Sequence, residues 1–182
     1  MRIETERLVI MDMTMDMAEA VHLNSLDDDV RRYVPDEVFE TPEEARETIE
    51  FIRSRYGSAE GPWIFAVITK DTGQNIGYVQ LVLMDGGCWE IGYHIAKAYT
   101  GKGYATEAVK AFLPAVTEYA GIREVYGIWL SENAASGRVL EKCGFQVYFR
   151  GEGAYQNGVS EICKSVWRRK TAGQSDRCSF GQ

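Results

Sequence analysis

Between Trp63 and Tyr119 the apolar pattern changes period once, and that change constrains the fold more than any other feature of the chain. Trp63 to Thr69, Ile76 to Met84 and Cys88 to Ile95 are short apolar runs, separated by Lys70-Asp71-Thr72-Gly73-Gln74 and by Asp85-Gly86-Gly87. Such runs joined by short glycine-containing turns predict an antiparallel meander. After Gly103 the spacing becomes helical: Ala105, Ala108, Val109, Phe112, Ala115, Val116 and Tyr119 fall on one stripe of a long helix. Pro114 lies inside it and predicts a kink, because it removes the amide that would bond Lys110. Val125 to Leu130 then reads as a buried strand. A helix separates it from the third strand of the meander, so the two are predicted to run parallel.

The flanking segments fill out a mixed α/β fold. Arg7 to Met13 is predicted as a first strand and Asp16 to Leu26 as a short helix. Thr41-Pro42-Glu43-Glu44 opens another, with Thr41 as N-cap, Pro42 at the first helical position and Glu44 closing a capping box. Ala45, Ile49 and Ile52 are its buried face. Asn133 to Cys143 is a further helix, ended by Gly144 with Phe145 beyond it. Phe145 to Glu152 and Ser160 to Trp167 are two strands around Asn157-Gly158. That makes about seven strands, mostly antiparallel, and four helices. With 182 residues the chain is expected to form one domain over 1–170, followed by a loose tail over 171–182 that has no periodicity.

Charge narrows the partners. Residues 1 to 60 carry 7 basic and 16 acidic side chains, 61 to 120 carry 4 and 5, and 121 to 182 carry 9 and 6, for a net charge of -7. That average excludes a duplex-binding domain and leaves room for a local anion site in the second or third block. The cysteines, Cys88, Cys143, Cys163 and Cys178, form no C-x-x-C pair, and with only His22 and His94 beside them no zinc spacing appears. No metal is expected. Met1-Arg2-Ile3-Glu4-Thr5-Glu6 lacks the apolar core of a signal peptide, so reduced thiols in the cytoplasm are expected. The longest apolar run, Trp63 to Ile68, is far short of the roughly 20 residues that cross a bilayer.

The segment with the clearest chemistry is Tyr99-Thr100-Gly101-Lys102-Gly103-Tyr104-Ala105-Thr106. It joins a strand end to the long helix. Two glycines let successive amides point at one anion, and the helix N-terminus adds about half a positive charge. Lys102 adds a full charge, and Thr100 and Thr106 add hydroxyls. The arrangement suits a pyrophosphate; the plain alternative is a glycine turn that starts a helix. The P-loop pattern is absent. A dinucleotide fingerprint would follow an early strand of a parallel sheet, whereas this loop follows a meander.

The meander, the strand Glu90-Ile91-Gly92-Tyr93-His94-Ile95, this loop and the block from Asn133 to Phe145 together resemble the GNAT acetyltransferases. The opening Glu4-Thr5-Glu6-Arg7-Leu8 and the Glu-Ile-Gly-Tyr strand resemble the RimJ/RimL branch of ribosomal-protein acetyltransferases. The likeness spans about residues 3 to 168 by element order. It implies a twisted sheet whose parallel pair splays apart, with acetyl-CoA as cosubstrate in the gap. The pantetheine arm would pair with backbone near His94, Ile95 and Ala96. The pyrophosphate would rest on Thr100, Gly101, Lys102, Gly103, Tyr104 and Ala105, with Thr106, Asn133, Ser136 and Lys142 completing the contacts. Family members usually begin this loop with Gln or Arg. Thr100 loses that contact and puts more weight on Lys102.

Acetyl transfer makes its own demands. An amine attacks a thioester only when neutral, and α-amino and Lys groups have pKa values of about 8 and 10.4. A general base is therefore expected, along with a backbone donor for the oxyanion near His94 or Ile95. Glu90 is the candidate base; its alternative is a structural carboxylate on a strand. Alternation puts Glu90, Gly92 and His94 on one face and Trp89, Ile91, Tyr93 and Ile95 on the other. His94 is a weaker base candidate and also reads as a packed core histidine. Many family members place an acidic Tyr in the second block, where this chain has Leu140. Ser136 is the alternative acid, or else a first-turn hydroxyl serving the backbone. Asn133 is an N-cap by position and, by resemblance, a CoA contact.

Two classes of function share these residues: an N-acetyltransferase acting on a protein N-terminus or a small amine of aminoglycoside or polyamine type, and a non-catalytic acyl-CoA sensor. A homodimer is the assembly that the resemblance allows; no direct nucleic-acid contact and no membrane are expected. The acidic first block predicts an acceptor cleft suited to a cation. Asp27-Asp28-Asp29 reads as a solvated turn, the Met11, Met13, Met15, Met17 series as core filler, and Arg168-Arg169-Lys170 as a solvated strand end.

Overall fold

The computed structural model describes residues 1–156 and 158–169. Asn157 of the expected turn, Lys170, Cys178 and the expected tail over 171–182 lie outside the described residues. The elements run β1 (Arg2–Glu4), β2 (Leu8–Asp12), α1 (Ala18–Ser25), α2 (Asp28–Tyr33), α3 (Pro42–Arg55), β3 (Trp63–Thr69), β4 (Asn75–Leu83), β5 (Trp89–Ile95), α4 (Tyr104–Ala120), β6 (Glu124–Leu130), α5 (Ala134–Lys142), β7 (Gln146–Tyr155) and β8 (Gly158–Arg168).

One eight-stranded sheet has the order β1-β2-β3-β4-β5-β6-β8-β7. Every pairing is antiparallel except β5 with β6. The parallel ladder is short, with Trp89 opposite Val125 and Glu90 opposite Tyr126. Beyond Glu90, β5 follows β4 as far as Ile95, while β6 follows β8 as far as Leu130. The sheet therefore opens into two halves at Glu90. The additional strand is β1, whose three residues fall below the length at which alternation is readable.

Period-two alternation sends residues of each strand to opposite helical layers. Phe65 and Val67 of β3 join Val79, Leu81, Ile91 and the buried face of α4 in the main core. Ala66 between them joins Met13, Ala18, Ile49 and Ile52 under α1 and α3. The α4 stripe is Ala108, Val109, Phe112, Leu113, Val116 and Thr117. The expected end of that stripe is corrected: Tyr119 is 77% exposed, because the buried arc is centred nearer Leu113. Thr117 can replace it inside because its hydroxyl donates to the Leu113 carbonyl at 2.6 Å. The helix continues through Pro114, which faces solvent, where water can serve the freed carbonyl.

Thr41 caps α3 as expected, accepting from the Glu44 amide at 3.2 Å. The Glu44 carboxylate reaches the Glu40 amide instead of that of Thr41, so the box closes one residue early. The reading of Asp27–Asp29 as a solvated turn is also corrected. Asp28 starts α2, Asp27 accepts from the Lys97 amide at 2.6 Å, and Asp29 pairs with the Lys97 ammonium at 2.9 Å. The run ties α2 to the end of β5.

Candidate active site

Where β5 and β6 part, a cavity of about 700 Å³ opens between the acidic turn after α2 and the helices α4 and α5. Glu90 stands at the fork. Burial pushes its carboxyl up to about 7, against the opposing effects of the Ile128 amide, which donates to it, and the charge of Lys164. A carboxyl tuned there is ionised enough at neutral pH to accept a proton and basic enough to hold one.

Glu37 lines the same cavity as Glu90 and carries no local signal in the sequence. Nothing in Pro35-Asp36-Glu37 distinguishes it from an ordinary loop acid; only the tertiary fold turns it inward. The Tyr78 hydroxyl donates to one of its oxygens and Gln80 Nε2 to the other, the latter at 3.2 Å. Burial lifts its carboxyl to about 7, Gln80 works against that, and Asp36 adds to it. Gly92 makes room for this arrangement, since a Cβ there would lie 2.5 Å from Gln80 Nε2. Among the described residues neither Glu37 nor Glu90 has an ion-pair partner.

His94 lines the same cavity. Burial lowers its pKa, partly offset by Asp27 and Asp29, so the ring is neutral at pH 7. Its Nε2 lies 3.8 Å from Asp27 Oδ2. On the α5 side, the Asn133 side chain caps the helix by accepting from the Ser136 amide at 3.1 Å. The Ser136 hydroxyl lies 2.9 Å from that of Tyr93, which also donates to the Ser136 carbonyl at 3.0 Å. Burial holds the Tyr93 phenol well above its ordinary pKa, so it keeps its proton. The Tyr93 partnership joins opposite sides of the gap and leaves no local trace in the sequence. Leu140 is buried against Gly127 in the core.

The glycine loop has Gly101 and Gly103 at φ +75° and +83°. Gly103 caps α4 with no side chain, leaving the first-turn amides unpartnered within the helix. Glu107 lies in that first turn, where its charge would repel an anion. Burial alone would raise its pKa, but hydrogen bonds from Thr5 and Arg7 hold it low. The Arg7 guanidinium pairs with it, donates to the Lys102 carbonyl at 3.0 Å, and lies 4.5 Å from the centre of the Tyr104 ring. Arg7 thus braces the loop, a role that its strand position concealed.

Of the expected site residues, Glu90, His94, Ile95, Thr100, Gly101, Gly103, Tyr104, Ala105, Thr106, Asn133, Ser136 and Lys142 line this one cavity. Two do not. Ala96 is buried behind the wall, its amide bonded to Ile76. Lys102 points its ammonium at the Ala98 carbonyl, over the Tyr99 ring. Arg138 is the cation on the wall that was missed. The residues fit acetyl-CoA: a free strand edge for an amide-bearing arm, an uncapped helix N-terminus for a pyrophosphate, and Arg138 and Lys142 for further phosphate charge.

The Acetyltransferase (GNAT) domain family matches residues 7–146. The chain belongs to this family and is an acyltransferase. It is 31% identical over 147 residues to the N-acetyltransferase YnaD of Bacillus subtilis, covering 80% of this chain and 83% of that one. An acetyltransferase of the GNAT family from Bacillus anthracis superposes with a TM-score of 0.78 at 27% identity, over 92% of this chain and 98% of that one. The fold is shared with RimL, the ribosomal L7/L12 alpha-N-protein acetyltransferase in complex with coenzyme A, at a TM-score of 0.79 and 15% identity over 92% and 98% of the chains.

Proposed function

We propose that this chain transfers the acetyl group of acetyl-CoA to a primary amine by direct attack within a ternary complex, as a RimJ/RimL-like N-acetyltransferase. The observation that carries the reading is the position of Glu90: a carboxyl with a pKa of about 7 at the fork between β5 and β6. It shares a cavity with the uncapped N-terminus of α4.

Acetyl-CoA, when bound, supplies an activated thioester. The amides of Tyr104, Ala105 and Thr106 and the cations of Arg138 and Lys142 hold its phosphates, and the free edge of β5 near His94 and Ile95 orients the arm. Glu90 accepts a proton from the acceptor nitrogen, directly or through water, so that the neutral amine attacks the thioester carbonyl. The new C–N bond forms as the C–S bond breaks; the departing sulfur takes the Ser136 hydroxyl proton, which solvent water replaces, while the Tyr93 phenol, still protonated, orients that hydroxyl. Asn133 fixes Ser136 by capping the helix.

The cavity is open enough for a small amine or the N-terminus of a polypeptide. A reducing cytoplasm suits Cys88, Cys143 and Cys163, all free thiols, and among the described residues no helix is long and apolar enough to cross a membrane. A homodimer is the assembly implied by family resemblance. The test is to incubate the protein with acetyl-CoA and a panel of peptides and small amines and to follow free thiol. Amine-dependent thiol release supports the reading. Tight CoA binding with no release on any amine would overturn it.

A further inference from the structure

The cavity wall carries a second carboxylate that acetyl transfer at Glu90 leaves without a task. We propose that Glu37 binds a second cationic group of the acceptor, a few bonds from the amine that reacts at Glu90, so that the preferred acceptors are dicationic amines. The inference rests on the acetyl-transfer reading above and names the acceptor class for the same site.

Placement comes first. Gln80, which holds Glu37, pairs across the sheet with Gly92, two residues along β5 from Glu90. A two-residue step on a strand is about 7 Å, the reach of a short aliphatic chain. Glu37 and Glu90 line one cavity, so a single small molecule can touch both.

The second point is that the carboxylate is held in place. Tyr78 and Gln80 fix one oxygen each. Those bonds fill two of roughly four acceptor positions and leave the others for a ligand. The bare Cα of Gly92 supplies the space that Gln80 occupies.

The third point is charge. A desolvated carboxylate is costly unless a cation joins it. Among the described residues none does. The cavity segregates its charges, with Asp29, Glu37 and Glu90 on the wall beside α2 and β5, and Arg138 and Lys142 on α5. Tyr33 and Tyr155 also line it. An anion is accommodated on the α5 side and a cation on the Glu37 side.

The experiment compares matched acceptors at pH 8, where the Glu37 carboxyl is mostly ionised. The pairs are putrescine against butylamine, and Ser-Lys amide against Ser-Leu amide, each with saturating acetyl-CoA. We expect at least about a tenfold higher kcat/KM for the dicationic member of one pair, as a charge-assisted contact provides. The pair that shows it identifies the source, a small diamine or a polypeptide N-terminus. In Glu37→Gln that ratio collapses toward one, mainly through KM, and Glu37→Asp retains part of it. Equal turnover of both members in both pairs by the wild-type protein would overturn the inference whether or not the variants fold. A ratio unchanged in Glu37→Gln would overturn it too. If no amine is acetylated, the failure belongs to the transfer reading. Calorimetric titration of the CoA-loaded protein with putrescine then decides: binding weakened about tenfold in Glu37→Gln supports a cation site, and equal or absent binding refutes it.

Discussion

The Arg7 guanidinium and the Glu107 carboxylate, one hundred residues apart, meet at 2.6 Å at the mouth of the glycine loop. Arg7 also holds the Lys102 carbonyl, so one side chain both neutralises an acid at the start of α4 and pins the turn before it. In Arg7→Ala, the freed Glu107 charge opposes a phosphate at the same helix end. CoA affinity should fall about tenfold, an effect comparable to other helix-terminus charge effects in partly buried sites. Isothermal titration with CoA checks this, and Glu107→Gln in the Arg7→Ala background should recover most of the loss.

Glu90→Gln should lower kcat by about 100-fold or more, the usual contribution of a general base, while leaving the dissociation constant for CoA unchanged. Because Glu90 must be ionised to act and its pKa is raised to about 7, kcat/KM for the wild-type protein should rise with pH up to about 7. That acid limb should be absent from the residual activity of Glu90→Gln. A profile that keeps the limb would assign it to another group.

The same two carboxyls bear on stability. The pKa values of Glu37 and Glu90 are raised to about 7 on folding. Between their ordinary values and 7 the folded chain therefore binds more protons than the unfolded chain. The stabilisation is fully present below about pH 4.5 and is lost as pH rises through 7. Glu37→Gln and Glu90→Gln should each raise Tm by roughly 3 °C at pH 8 and by much less at pH 5. Thermal melts across that range provide the measurement.

Ser136→Ala should lower kcat by about tenfold at constant KM if Ser136 holds the proton for the sulfur, and Tyr93→Phe should show a smaller loss in the same direction. Leu140→Tyr, which restores the residue common in the family, should not rescue Ser136→Ala. Leu140 is 2% exposed and presses on Gly127, so a phenol there overpacks the core and should cost about 1–3 kcal/mol of stability. Chemical denaturation and steady-state kinetics on the double variant test both halves of the statement.

Much of this architecture is legible in local pattern. Trp63 to Thr69 is a strand with the expected ends, Thr41 caps its helix, and the loop from Thr100 to Thr106 stands where its glycines place it, because each depends on neighbours in sequence. The residues that were missed depend on distant partners. Glu37 is turned inward by Tyr78 and Gln80, Tyr93 meets Ser136 across the gap, and Arg7 reaches Glu107 from the far end of the chain. Lys102 illustrates a related limit: charge is visible in sequence, but direction is not, and its ammonium turns back to the Ala98 carbonyl.

Lys97 lies two residues beyond the end of β5 and is bound twice by the α2 region, through Asp27 and Asp29. At its far end α2 is held by Arg32 to Glu132 and by Tyr155 and Gln156 to the Tyr33 carbonyl. On the proposed function, the wall that would meet the acceptor hangs from the strand end that would orient the cofactor arm. In kinetic terms this gives the two substrates an order. We expect loading of the arm to steady Lys97 and with it α2, so acetyl-CoA should add first, and a dead-end acceptor analogue should inhibit uncompetitively against it.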